Sequence, residues 1–118
     1  MAIGRDRQGA AATLLAGLLL VMVSGSAWAA DPVVLVIRGH RFVPDNVSVP
    51  AGERFRIEVT NEDATPEEFE SSELKIEKIV VPGGKIAVMA GPLKPGSYRF
   101  FGDYHPDETH GALTAVAP

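Results

Sequence analysis

From position 44 onward, turn-forming residues punctuate this chain at intervals of about ten residues. They are Pro44-Asp45-Asn46, Pro50-Ala51-Gly52, Asn61 to Pro66, Pro82-Gly83-Gly84 and Pro92 to Gly96. Between them apolar and polar residues alternate. Phe55, Ile57 and Val59 interleave with Arg54, Arg56, Glu58 and Thr60. Ile86 with Val88, Tyr98 with Phe100, and Leu113 with Ala115 repeat the period. Val34, Val36 and Phe42 are assigned to one apolar face. Period two puts alternate side chains on the same side of an extended chain. Short strands with regular turns predict an all-β fold, an antiparallel Greek-key β-sandwich. Ser71 to Lys78 breaks the pattern and reads as a helical turn or an irregular excursion.

The first residues differ from the rest. Arg5 and Arg7 precede an apolar run from Ala10 to Val23, then Ser24-Gly25-Ser26 and the Ala27-x-Ala29 pair. That order predicts a signal peptide over residues 1–29, a domain over residues 30–118 and export. The chain carries −4 overall, and Arg5, Asp6 and Arg7 contribute +1, so the remainder carries −5. An acidic domain of this kind suits cations or basic patches on a partner, and no nucleic acid is expected. There is no cysteine, which excludes disulfides and thiolate ligation.

The landmarks occur in the order of a known family. Phe42-x-Pro44, Val47-x-Val49-x-Ala51-Gly52, Phe55-x-Ile57-x-Val59-x-Asn61 and Leu93-x-Pro95-Gly96-x-Tyr98-x-Phe100 together resemble the cupredoxins. The likeness covers about residues 33–116. In blue-copper members the last strand leads to a cysteine, a histidine and a methionine. Here the resemblance sets Gly102 at the cysteine position, His105 at the histidine and His110 at the methionine. The remaining histidine of the family falls on Glu67, within Pro66-Glu67-Glu68-Phe69. Alternation past Phe69 favours Glu67 as the inward ligand, with Glu68 second. Asp103 is a further ligand or a partner for a histidine N–H. His40, two residues before Phe42, is a further donor candidate. Hard oxygen and borderline nitrogen donors suit iron or a non-blue copper ion, not a blue-copper centre.

Two stretches narrow the resemblance. Asn61 to Ser71 and Phe100-Phe101-Gly102-Asp103-Tyr104-His105-Pro106 are similar to a cysteine-free, FtrB-like cupredoxin subfamily of bacterial periplasmic ferrous-iron uptake systems. That resemblance implies oxidation of Fe(II) to Fe(III), with Glu67, His105 and Asp103 at the reacting centre. It also implies two partners, an iron permease in the inner membrane and a periplasmic iron- and copper-binding protein. A monomer or weak dimer is expected. A non-catalytic carrier or sensor that hands metal to a transporter would use the same residues. Imidazoles ligate when neutral, so binding should weaken as pH falls below about 6.

Overall fold

Nine strands account for the alternating segments in the computed structural model, which describes residues 30–118 together with Gly4, Ala16 and Gly17. The signal peptide expected over residues 1–29 otherwise lies outside the described residues. The strands are β1 (Val33–Arg38), β2 (Arg41–Val43), β3 (Asn46–Pro50), β4 (Phe55–Asn61), β5 (Glu67–Ser71), β6 (Ile76–Val80), β7 (Lys85–Ala90), β8 (Gly96–Gly102) and β9 (His110–Val116). Among the described residues there is no helix. The fold is an all-β sandwich, as the alternation predicts.

One sheet has the order β2-β1-β4-β7 and the other β3-β9-β8-β5-β6. Both are mixed rather than purely antiparallel, because β1 pairs with β4 and β3 with β9 in parallel. Those two pairings join strands distant in sequence, and an alternating pattern fixes a strand's faces, not its neighbours.

The inner faces supply the core. β4 buries Phe55, Ile57, Val59 and Asn61, β5 buries Glu67, Phe69 and Ser71, and β9 buries Leu113 and Ala115. β1 departs from expectation. Val33, Leu35 and Ile37 point inward and Val34 points out, half exposed. Residues 33–37 are apolar throughout, so period two leaves their facing undetermined. Ser71 to Lys78 also differs. It is the end of β5, a turn with Lys75 at φ 56°, and the start of edge strand β6. Ile76 and Val80 are the inward anchors of β6, while Lys78 between them stays exposed, which blurs the period.

Candidate metal centre

Three connections meet at one end of the sandwich. They are the β1–β2 hairpin, the connection that leads into β5 and the loop between β8 and β9. The hairpin supplies His40, the start of β5 supplies Glu67 and the last loop supplies His105. Glu67 opens β5 on the inner face, two residues before Phe69, so the strand's pleat aims its carboxylate into the protein. It is 1% exposed. Burial of a carboxylate demands partners, and both oxygens have them. Oε1 accepts the amides of Glu68 at 3.0 Å and Tyr104 at 2.9 Å. Oε2 lies 2.7 Å from Nδ1 of His105.

His105 sits in a tight loop. Its amide donates to the Gly102 carbonyl at 3.1 Å, and its own carbonyl accepts the amides of Glu108 and Thr109 at 3.1 and 2.9 Å. The ring of His40 stacks on it, with centroids 3.9 Å apart and planes 28° from parallel. Donor atoms of His40, Glu67 and His105 all lie within 4.8 Å of one another. Two imidazoles and one carboxylate form a hard-to-borderline donor set that suits Fe(II), Zn(II) or a non-blue Cu(II).

Gly102 explains how the carboxylate fits. A Cβ at this position would lie 2.6 Å from Cδ of Glu67 and 2.7 Å from Cγ2 of Thr109. The space beside residue 102 is therefore filled by the Glu67 carboxylate.

Other residues singled out from the sequence lie elsewhere. His110, the first residue of β9, is exposed and pairs with Phe101. It faces outward into a groove of about 790 Å³ that Asp45, Arg99 and Phe101 also line. The preceding residue, Thr109, takes the inward direction and is fully buried, so alternation turns His110 away. Asp103 is exposed, and its carboxylate lies with Glu68 and Glu70 in a second group on the outer face of β5. Burial raises the Glu68 carboxyl above the ordinary glutamate range, and the neighbouring Glu77, Asp103 and Glu70 raise it further.

A residue that sequence reasoning passed over lies against the centre. Asp63 accepts the amides of Gly39 at 2.7 Å and His40 at 2.9 Å. Burial pushes its carboxyl up, but those two amides and the nearby imidazoles of His40 and His105 outweigh it and hold it below the ordinary aspartate range. Its place in a run of seven acids between residues 62 and 77 hid it. No local pattern marked it, because the amides it binds belong to a hairpin more than twenty residues earlier.

Residues 11–115 match the family described as Cupredoxin-like domain. An uncharacterized protein of Rickettsia prowazekii (strain Madrid E) is 47% identical over 81 residues, 69% of this chain, and the match spans 65% of that relative's length. Amicyanin from Paracoccus versutus superposes with a TM-score of 0.57 at 20% identity, over 73% of this chain and 82% of its own. Reduced auracyanin from Roseiflexus castenholzii gives 0.62 at 14% identity, over 75% and 98%. A purple cupredoxin from Nitrosopumilus maritimus gives 0.56 at 19% identity, over 71% and 99%. At these identities the structural likeness is one of fold.

Proposed function

The chain belongs to the cupredoxin-like domain family, and on that ground we propose that it is a periplasmic metal-binding protein that oxidises Fe(II) to Fe(III) for a high-affinity iron permease. The observation that carries the reading is the buried Glu67 carboxylate beside Gly102, joined by the imidazoles of His105 and His40. A thiolate centre has no donor here and no room at residue 102. A two-histidine, one-carboxylate set with open positions is a known arrangement for ferrous iron.

The residues divide the work. Side chains of His40 and His105 are about one-third exposed, at 35% and 32%, so an incoming ion reaches them from solvent. The acidic run around Glu62, Glu68, Glu70 and Glu77 adds a negative field that concentrates cations. Glu67 brings a full negative charge, which favours the ferric over the ferrous ion and so favours loss of one electron. Nδ1 of His105 and Oε2 of Glu67 stand 2.7 Å apart, so an ion held by both atoms takes the place of their hydrogen bond. Dioxygen or a bound Cu(II) would accept the electron; a Cu(II) ion on nitrogen and oxygen donors supplies a one-electron acceptor. The permease and a periplasmic iron- and copper-binding partner enter through the likeness of Asn61 to Ser71 and Phe100 to Pro106 to the iron-uptake subfamily.

The test is oxygen consumption and Fe(III) formation by the purified protein given Fe(II), with and without one equivalent of Cu(II). Glu67→Gln and His105→Ala serve as controls. Catalytic turnover lost in both controls supports the reading. Stoichiometric binding without turnover replaces it with a metal carrier. Absence of binding removes both.

A further inference from the structure

His40 occupies a backbone conformation that a histidine adopts at a cost. Gly39 and His40 both have φ 59°, the consecutive left-handed pair of a tight two-residue hairpin. Glycine meets that requirement freely, whereas a side chain at residue 40 adds strain. A histidine therefore sits where an asparagine or glycine would serve the turn better.

Two side chains from other connections hold the strained residue. The Asp63 carboxylate accepts both successive amides, with Oδ1 on Gly39 and Oδ2 on His40. Oδ2 also lies 3.6 Å from Nδ1 of the His40 ring. Behind Asp63, its own amide donates to Oδ1 of Asn61 at 2.9 Å, and Nδ2 of Asn61 donates to the carbonyls of Thr65 and Val80. On the other side of the peptide, the hydroxyl of the fully buried Thr109 donates to the His40 carbonyl. Thr109 also closes the His105 loop, since its amide donates to the His105 carbonyl and its carbonyl accepts the Gly102 amide. The His40 peptide is thus gripped from the β4–β5 loop and from the loop that carries His105.

We infer that Asp63, with Thr109 opposite, is the positioning residue of the metal centre, holding the left-handed His40 so that its imidazole stands against His105 before any ion arrives. This rests on the reading of His40 as a ligand. Neither residue belongs to the donor group of His40, Glu67 and His105. The advantage is pre-organisation, since a hairpin free to leave the left-handed region would have to be ordered by the metal at the expense of affinity.

The test uses Asp63→Ala, the conservative Asp63→Asn, which keeps one acceptor oxygen, and Thr109→Val, which keeps shape. Each is made alone and in a His40→Ala background. In metal-free protein, proton NMR reads the through-space contact between the two imidazoles, whose centroids stand 3.9 Å apart. Cu(II) serves as the metal probe, with affinity from titration and the number of bound imidazoles from electron spin-echo spectroscopy. The expected result is loss of the ring contact in Asp63→Ala, an affinity lower by about 10- to 100-fold, and one bound imidazole instead of two. Asp63→Asn should recover part of each, Thr109→Val should weaken both, and neither Asp63→Ala nor Thr109→Val should cost anything more once His40 is alanine. Retention of the ring contact in Asp63→Ala would overturn the inference, as would a loss of affinity undiminished in the His40→Ala background. If the unaltered protein takes up no Cu(II), the metal reading falls by itself and the ring contact in metal-free protein still decides the role of Asp63.

Discussion

Gly102 holds its importance in what it lacks. The Glu67 carboxylate fills the volume that a Cβ there would need, 2.6 Å from Cδ and 2.8 Å from Oε1. Gly102→Ala should therefore expel the carboxylate from its bonds to the amides of Glu68 and Tyr104. Overpacking of this kind costs about 1–3 kcal/mol, readable in urea unfolding, and the donor set should lose Cu(II) affinity by about tenfold or more. Unchanged affinity in a folded Gly102→Ala protein would show that the carboxylate does not need that space. The inward direction of Glu67 was legible in the sequence, because Phe69 two residues on could only be core. Asp63 was not legible, because its partners are backbone amides of a hairpin some twenty residues earlier, and no side-chain pattern announces them. His110 was misleading in the opposite way. A histidine at the family's methionine position suggests a ligand, but Thr109 takes the inward direction to reach His40.

Strands were readable where only one face is apolar. β4 alternates cleanly and its facing follows at once, whereas β1 is apolar on both faces and β6 is an edge strand whose exposed Lys78, between Ile76 and Val80, breaks the count. Outward carboxylates of β5 and β6 set up a prediction for that pair. Register places Glu70 opposite Glu77, with Glu68 beside them on the same face. Because burial and its acidic neighbours raise the Glu68 carboxyl in the folded protein, the folded state binds a proton that the unfolded chain releases. Folding is then penalised at neutral pH, and the penalty vanishes as pH falls to the ordinary glutamate range, about 4.3. Glu77→Gln, which replaces a repelling carboxylate with an amide donor, should raise the melting temperature at pH 7, and the difference should close near pH 4. The β1–β2 hairpin should answer with the opposite sign. Asp63 is held below the ordinary aspartate range, so its contribution is complete above about pH 3.9 and is lost as pH falls through the lower folded value. Amide exchange at Gly39 and His40 should accelerate in that acid window in the unaltered protein and be fast at all pH values in Asp63→Ala. A difference of one sign across both elements would contradict the two assignments together.

The molecule as a whole ties its core to its site. Phe42 of β2, Phe69 of β5 and Phe100 of β8 meet between the two sheets, with ring centroids 4.9 to 5.8 Å apart and edge-to-face or tilted contacts. This cluster belongs to strands that lead to the candidate centre, since Phe69 lies two residues from Glu67, Phe42 two from His40 and Phe100 two from Gly102. Phe55 is an equally buried phenylalanine at the opposite end of β4, six residues or about 20 Å of strand from Asn61. The pair separates global stability from local anchoring. Truncation to alanine should cost about 3–5 kcal/mol at either position, a large share of the roughly 5–15 kcal/mol that holds a domain together. Under conditions where both variants remain folded, only Phe69→Ala should weaken Cu(II) binding, because only there does the cavity lie against the strand that presents Glu67. Equal losses of affinity would mean that the centre follows overall stability. A loss in Phe69→Ala alone would mean that the sandwich end is a rigid platform, with the aromatic cluster setting the position of the carboxylate from beneath.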